Sequence, residues 1–304
     1  MKPQVVGIGA CVMDTISVLP KFPKQDAKLK ALETKQCGGG PVATAMVTVS
    51  KLGITSGYIG VLSDDIAGQF LLEDFKRYGV DISGVTLYRG YRSFTSNIWL
   101  NMVNGSRTCV FDKGNLPKLK LTTFQKELIQ QAKILLVDGN ELESAIEAAK
   151  LMHKSGGIVL YDAGGLYTGV EELIKLADVL IPSEEFALSY TGEIEICNAA
   201  KCLFKQYNSK AVVITKGSHG GILYEGTEIY KYPCYHIKVV DTNGAGDVFH
   251  GVFSVALIRG FSLKASCHFA SATSALKCSG FGARESVPSF LETMEYLRRN
   301  GYEF

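Results

Sequence analysis

The sequence predicts an α/β fold built on a mostly parallel sheet covered by helices, and two observations carry that expectation. Short apolar runs, "QVVGIGA", "SGYIGVL", "KILLVDG", "GIVLYDA", "DVLIPS" and "AVVITKG", each precede a stretch of helical periodicity, the alternation expected of buried parallel strands joined by crossover helices. Polar residues also collect at the ends of these runs: Asp14, Asp138, Asp162, Ser183, Thr215 and Asp241 fall at or just after strand ends, where ligands of such sheets gather.

Two segments break the rhythm. Residues 11–36 and 88–113 read as strands outside the main sheet, the second with Asn104-Gly105 between alternating residues, a type I′ hairpin signal. A small sheet assembled from two distant insertions suits a lid, because closure excludes water from a reaction; an edge extension or a dimer contact is the plainer alternative. The glycine run "CGGGPVATAMVTVSKLG" follows the first insertion and enters a helix with Pro41 near its first turn, where proline is tolerated. Gly38, Gly39 and Gly40 either bring bare backbone against polyol hydroxyls or merely end a lid strand. Further on, Tyr235 to Val240 read as a strand end, and Val248, Phe249, Val252, Phe253, Ala256 and Leu257 recur at helical spacing.

The 304 residues, 46% hydrophobic and 20% charged, suit one enzyme-sized domain with a large core. A net charge of +2 from 32 basic and 30 acidic residues argues against a broad field for nucleic acid or a membrane surface and favours small ligands. Eight cysteines show no C-x-x-C pair, so free thiols and a reducing compartment are expected. The chain enters a strand pattern directly from its start, and no run reaches the length of a membrane span, which together predict a cytoplasmic protein.

The chemistry concentrates in "VVDTNGAGDVFHG", Val239 to Gly251. Gly244 and Gly246 leave successive N–H groups exposed at a helix N-terminus, a site for anions and above all phosphate. Asp247 in the first helical turn is either a capping carboxylate or a general base beside a bound phosphate. Asp14 follows the first strand, where a carboxylate accepts hydrogen bonds from neighbouring sugar hydroxyls. Asp138 either touches a far hydroxyl or caps the next helix.

The order of Asp14, "GGGPVATA", "GVLSDDIAGQF", "ITKGSHGG", "DTNGAGDVFHG" and "GARESVP" resembles the PfkB or ribokinase-like carbohydrate kinases over essentially the whole chain. That resemblance implies one ribokinase-like three-layer α/β/α domain over 1–304 with a β lid, and transfer of the γ-phosphate of ATP to a small carbohydrate, with Mg2+. It implies that Asp247 is the base, and that Asn243, Gly244, Ala245 and Gly246 form the anion hole. Thr215, Gly217, Gly220, Ser183 and Ser271 would contact the nucleotide, and Asp241, Thr242, Gly282 and Ser286 a monovalent cation such as K+. Gly38, Gly39, Gly40, Asp14, Asp138 and Lys28 would face the sugar. "GGGP-x-ATA" with "DVFHG" resembles the sulfofructose kinase branch, in which Lys28 matches a lid lysine; a solvated lysine is the alternative. The sequence also departs from the family. Ala43 replaces a sugar-binding asparagine of many members, Ser183 and Phe186 replace an asparagine and a glutamate, and Glu185 is left as the candidate for Mg2+. Lid strands in the family often clasp those of a second copy, so a homodimer is expected.

Three other readings compete. A nucleoside kinase would stack a base on Phe94, Trp99 or Phe111. A non-catalytic sugar- or nucleotide-binding regulator would retain the scaffold only. A nicotinamide oxidoreductase is suggested by Gly7-x-Gly9, but Val12 stands where the third fingerprint glycine belongs.

Overall fold

The computed structural model describes residues 2–103, 106–207 and 209–302. The first half runs Val5–Ile8 (β1), Val12–Leu19 (β2), Glu33–Gly39 (β3), Pro41–Lys51 (α1), Ser56–Ser63 (β4), Ile66–Arg77 (α2), Val85–Tyr88 (β5), Thr95–Asn101 (β6), Arg107–Asp112 (β7) and Thr123–Gln131 (α3). It continues with Ile134–Val137 (β8), Leu142–Lys154 (α4), Ile158–Ala163 (β9), Val170–Lys175 (α5), Val179–Pro182 (β10), Glu184–Thr191 (α6) and Ile196–Tyr207 (α7). The last part is Ala211–Thr215 (β11), Gly221–Tyr224 (β12), Ile229–Tyr232 (β13), Ala245–Ile258 (α8), Leu263–Lys277 (α9) and Phe290–Arg299 (α10).

Nine strands form the main sheet in the order β13-β12-β11-β10-β9-β8-β1-β4-β5. From β11 to β5 every neighbour is parallel, and only β12 and β13 are antiparallel. Successive side chains of a strand point to opposite faces, and both faces here are apolar. Val5, Ile134 and Leu136 enter a core shared with α1, α2, α8, α9 and α10. Their neighbours Val6, Leu135 and Val137 enter a second core shared with α3 to α7. Two helical layers sandwiching a sheet are the direct result.

The second sheet has the order β3-β2-β6-β7. The two insertions meet through the parallel pair β2–β6, and each also carries an antiparallel pair. The expected small sheet is therefore present, with the glycine run forming the end of β3 rather than following it. The Asn104-Gly105 turn lies outside the described residues, although the β6–β7 pairing from Thr95↔Asp112 to Leu100↔Arg107 leads towards it.

Two local expectations need correction. "AVVITKG" leads into a short 3-10 turn and the β12–β13 hairpin instead of a helix. Tyr235 to Val240 form no strand; the Val240 and Asp241 N–H groups donate to Cys278 O at 2.8 and 3.2 Å. That tie to the end of α9 takes the place of sheet pairing.

A buried guanidinium fastens the lid to the main body. Arg284 is 1% exposed; it pairs with Asp74 of α2 and donates to Gly39 O at 2.7 Å and to Thr44 Oγ1 at 3.3 Å. Gly38 leaves it room, since a Cβ there would lie 2.0 Å from the guanidinium. Removing one partner of a buried pair strands the other charge. Arg284→Ala is expected to cost about 3–5 kcal/mol, read as a lower denaturation midpoint in urea.

Candidate active site

The first turn of α8 divides two cavities. Gly244 is its N-cap at φ 75°, and no side chain caps the helix; the Ala245 N–H donates to Thr242 O at 3.2 Å, which leaves the neighbouring N–H groups of the turn for an anion. A Cβ at Gly244 would strike Ala283 Cβ at 2.6 Å, whereas a Cβ at Gly246 would meet nothing within 4 Å. Glycine is thus needed at 244 for φ and packing, while Gly246 borders open space.

The first cavity lies between the lid and α8 and is lined by Asp14, Gly39, Gly40, Phe94, Ser96, Arg107, Phe111, Asn243 and Asp247, among others. Gly40 adopts φ 90°, and a Cβ at Gly39 would fall 2.0 Å from Asp14 Oδ2. The bare backbone therefore makes room for the Asp14 carboxylate, which accepts from Ser96 Oγ at 2.5 Å. Burial raises the Asp14 pKa, opposed by the Ser96 bond and by Arg284 and Arg107. The second cavity is lined by Arg107, Thr215, Gly217, Gly220, Thr242, Ala245, Gly246 and Ser271. Arg107 reaches from β7 to Asn243 Oδ1 at 3.0 Å and borders both cavities.

Burial pushes the Asp247 carboxyl up to about 7, and the nearby Asp162 carboxylate pushes the same way. A carboxylate that titrates near neutrality is a far better proton acceptor than an ordinary one. One turn along α8, His250 is 5% exposed. Its Nδ1 lies 2.6 Å from Gly246 O and 3.2 Å from Asp162 Oδ2, and its Nε2 lies 3.1 Å from Ile181 O. The imidazole thus ties the turn to the ends of β9 and β10.

Other expected residues fall elsewhere. Asp138 is absent from both cavity linings: its carboxylate accepts from the N–H groups of Ala10 at 2.8 Å, Asn140 at 2.9 Å and Val42 at 3.5 Å. It therefore braces the starts of α1 and of its own loop, the structural one of the two roles open to it. Lys28 is exposed in the loop between β2 and β3, outside the cavities. Ser183 caps α6 by accepting from the Phe186 N–H at 3.1 Å and bridges to Thr215, so it supports the second cavity's wall without lining it. Glu185 is exposed on α6, Glu184 pairs with Lys216 at 3.3 Å, and no metal-holding group of His, Cys, Asp and Glu occurs among the described residues. Ala43 is fully buried within α1, and Trp99 lines neither cavity.

The residues expected to hold a monovalent cation are already engaged with one another. Asp241 accepts from the Asn243 N–H at 2.8 Å and the Gly282 N–H at 3.0 Å, and Ser286 Oγ donates to Gly282 O at 2.8 Å. Lys277 Nζ donates to Asp241 O at 2.9 Å and to Asn243 O. Sequence reasoning missed Ser96, Arg107, His250 and Lys277. Only Lys277 gave a signal, as a lone charge in the apolar and small-residue run "FASATSALKCSG".

A covered α/β sheet, a glycine-rich helix start between two cavities, and a carboxyl whose pKa is raised to about 7 are the features of a small-molecule phosphotransferase. The description "pfkB family carbohydrate kinase" matches residues 2–289, and the chain belongs to that family, whose members transfer phosphate to alcohol acceptors. It is 27% identical to ribokinase of Bacillus subtilis over 95% of this chain and 98% of that protein. It is 24% identical to ketohexokinase of Mus musculus over 90% and 96%. The structure of Arabidopsis thaliana ribokinase complexed with ribose and ATP is 25% identical and superposes with a TM-score of 0.87 over 98% of this chain and 99% of that one. An E. coli structure holding ATP and Mg2+ shares the fold at 20% identity, with a TM-score of 0.83 over 98% and 99%.

If Asp247 serves as the base it must be ionised to accept a proton, so turnover is expected to rise with pH through about 7 and level off above it. Burial also pushes the Asp162 carboxyl well up, and where it is ionised it opposes ionisation of Asp247; an amide there removes that opposition. In a pH–rate profile, Asp162→Asn should therefore shift the acid limb to lower pH.

Proposed function

We propose that this protein is an ATP-dependent, Mg2+-requiring sugar kinase that phosphorylates a primary hydroxyl of a ketohexose, ribose or a related derivative. The observation that carries this reading is the position of Asp247: its carboxylate lines the lid-covered cavity, while Ala245 and Gly246 of the same turn line the other. An acceptor hydroxyl and a nucleotide phosphate approaching from the two sides would meet at this turn.

The reaction follows from that placement. Asp14, oriented by Ser96, accepts hydrogen bonds from the sugar's hydroxyls and sets which oxygen faces Asp247. As that oxygen bonds to the γ-phosphorus, its proton passes to Asp247, and the phosphorus–oxygen bond to ADP breaks. The N–H groups of the turn stabilise the charge on the transferring group. Arg107 adds a positive charge where the two cavities meet. Mg2+ would supply charge neutralisation for the transferring phosphate when it arrives with ATP.

Two further expectations rest on the same reading. Strand β7 is exposed throughout and pairs only with β6 among the described strands, so its free edge is where a second copy would clasp the lid. All eight cysteines are free thiols, which favours a reducing compartment such as the cytoplasm.

A second reading has one observation in its favour. Phe94 and Phe111 both line the acceptor cavity, their ring centroids 5.8 Å apart, and a nucleoside base stacks on such surfaces. Coupled ADP production with MgATP separates the two across fructose, ribose, tagatose, sugar phosphates, sulfofructose and adenosine. A sugar is expected to give the highest kcat/KM; adenosine in first place would select the nucleoside kinase. Asp247→Ala should lower kcat by roughly 10²-fold or more, the contribution of a positioned base. Wild-type turnover in that variant would refute the assignment.

A further inference from the structure

Lys277 stands in the last turn of α9 with none of its surface exposed. A fully buried lysine must spend its charge on partners, and these are main-chain oxygens: Asp241 O at 2.9 Å and Asn243 O. Both carbonyls belong to the segment that delivers the α8 N-terminus. A peptide unit is planar and trans, so pinning these two carbonyls also fixes the Thr242 and Gly244 N–H groups, which point the opposite way. The ammonium group therefore holds the far side of the turn on which an anion would sit.

The same segment is where family resemblance places a dissociable monovalent cation, and the residues do not fit one. Binding such an ion requires several oxygens free to replace its water shell. Here the Asp241 carboxylate is taken by the Asn243 and Gly282 N–H groups, and Gly282 O by Ser286. The Asp241 and Asn243 carbonyls are taken by Lys277. An ammonium bears the same single charge as an alkali ion, and its N–H donors satisfy carbonyls directly. It differs in being tethered, so it cannot be diluted away.

We propose that Lys277 is the resident cation of the anion-hole turn, replacing a dissociable monovalent ion and making the enzyme indifferent to K+. The catalytic half of this inference rests on the kinase reading above; the ion-binding half does not.

The test compares chloride salts of K+, Na+ and tetramethylammonium at equal ionic strength, following both kcat and the thermal midpoint. The wild-type protein should give kcat values within about twofold of one another, against the roughly 10²-fold scale of a lost anion-hole contact, and a midpoint unchanged by K+. Lys277→Ser should lose roughly 10²-fold in kcat in tetramethylammonium. Added K+ or NH4+ should restore part of that loss and raise the variant's midpoint. Severalfold activation of the wild type by K+, or a wild-type midpoint that climbs with K+, would overturn the proposal. Full activity of the variant without an alkali cation, or a folded variant that neither K+ nor NH4+ rescues, would overturn it equally. If Lys277→Ser fails to fold, the wild-type salt series still decides. If the kinase reading is wrong, turnover is missing in every salt while the wild-type midpoint still reports on ion binding.

Discussion

The start of α8 presents several N–H dipoles to one place, and that arrangement persists only if the oxygens behind it are held. Lys277 grips the carbonyls of Asp241 and Asn243, Asp241 in turn takes the Asn243 and Gly282 N–H groups, and His250 takes Gly246 O. An anion hole is useful because its donors need no reorganisation when charge develops. Freezing the turn from behind achieves that before any ligand arrives. The tight approach of Gly244 to Ala283 adds a steric lock to these electrostatic ones.

This design buries charge, and each buried charge has a stated counterpart. Arg284 finds Asp74 and the carbonyl of Gly39, and Lys277 finds two carbonyls; His250, whose pKa burial lowers, is no such charge. Removal of either partner from such a pair leaves the other uncompensated. The carboxyls of Asp14, Asp138, Asp162 and Asp247 differ from these, since burial raises the pKa of each. The Asp247 carboxyl is partly buried at the cavity wall beside other carboxyls, and desolvation pushes its pKa up to about 7, the value that suits a base at neutral pH.

Much of this was legible in the sequence because parallel strands buried on both faces read as continuous apolar runs. The lid was legible as well, since residues 11–36 and 88–113 departed from that rhythm. Asp14, Asp247 and the glycines at 39, 40, 244 and 246 sit where strand ends and helix starts suggest, because backbone geometry alone dictates their neighbourhood. What sequence could not reveal depends on contacts across long separations. Asp138 follows the end of β8, whereas Asp14 lies within β2, and the Ala10 and Val42 N–H groups donate to the Asp138 carboxylate. Lys277 is bonded to residues 34 and 36 positions away, and Arg107 reaches Asn243 across 136. Tyr235 to Val240 carry a strand's composition, yet α9 offers Cys278 O to their backbone instead of a strand edge.

The central claim is that one helical turn holds the transferring phosphate on its N–H groups while its own Asp247 faces the acceptor. A crystal structure with ADP, aluminium fluoride, Mg2+ and the preferred acceptor tests it most directly. The account predicts the fluoroaluminate against the Gly244–Asp247 N–H groups, with the acceptor hydroxyl between it and the Asp247 carboxylate. A fluoroaluminate bound away from this turn, or an acceptor oxygen out of hydrogen-bonding reach of Asp247, would contradict it.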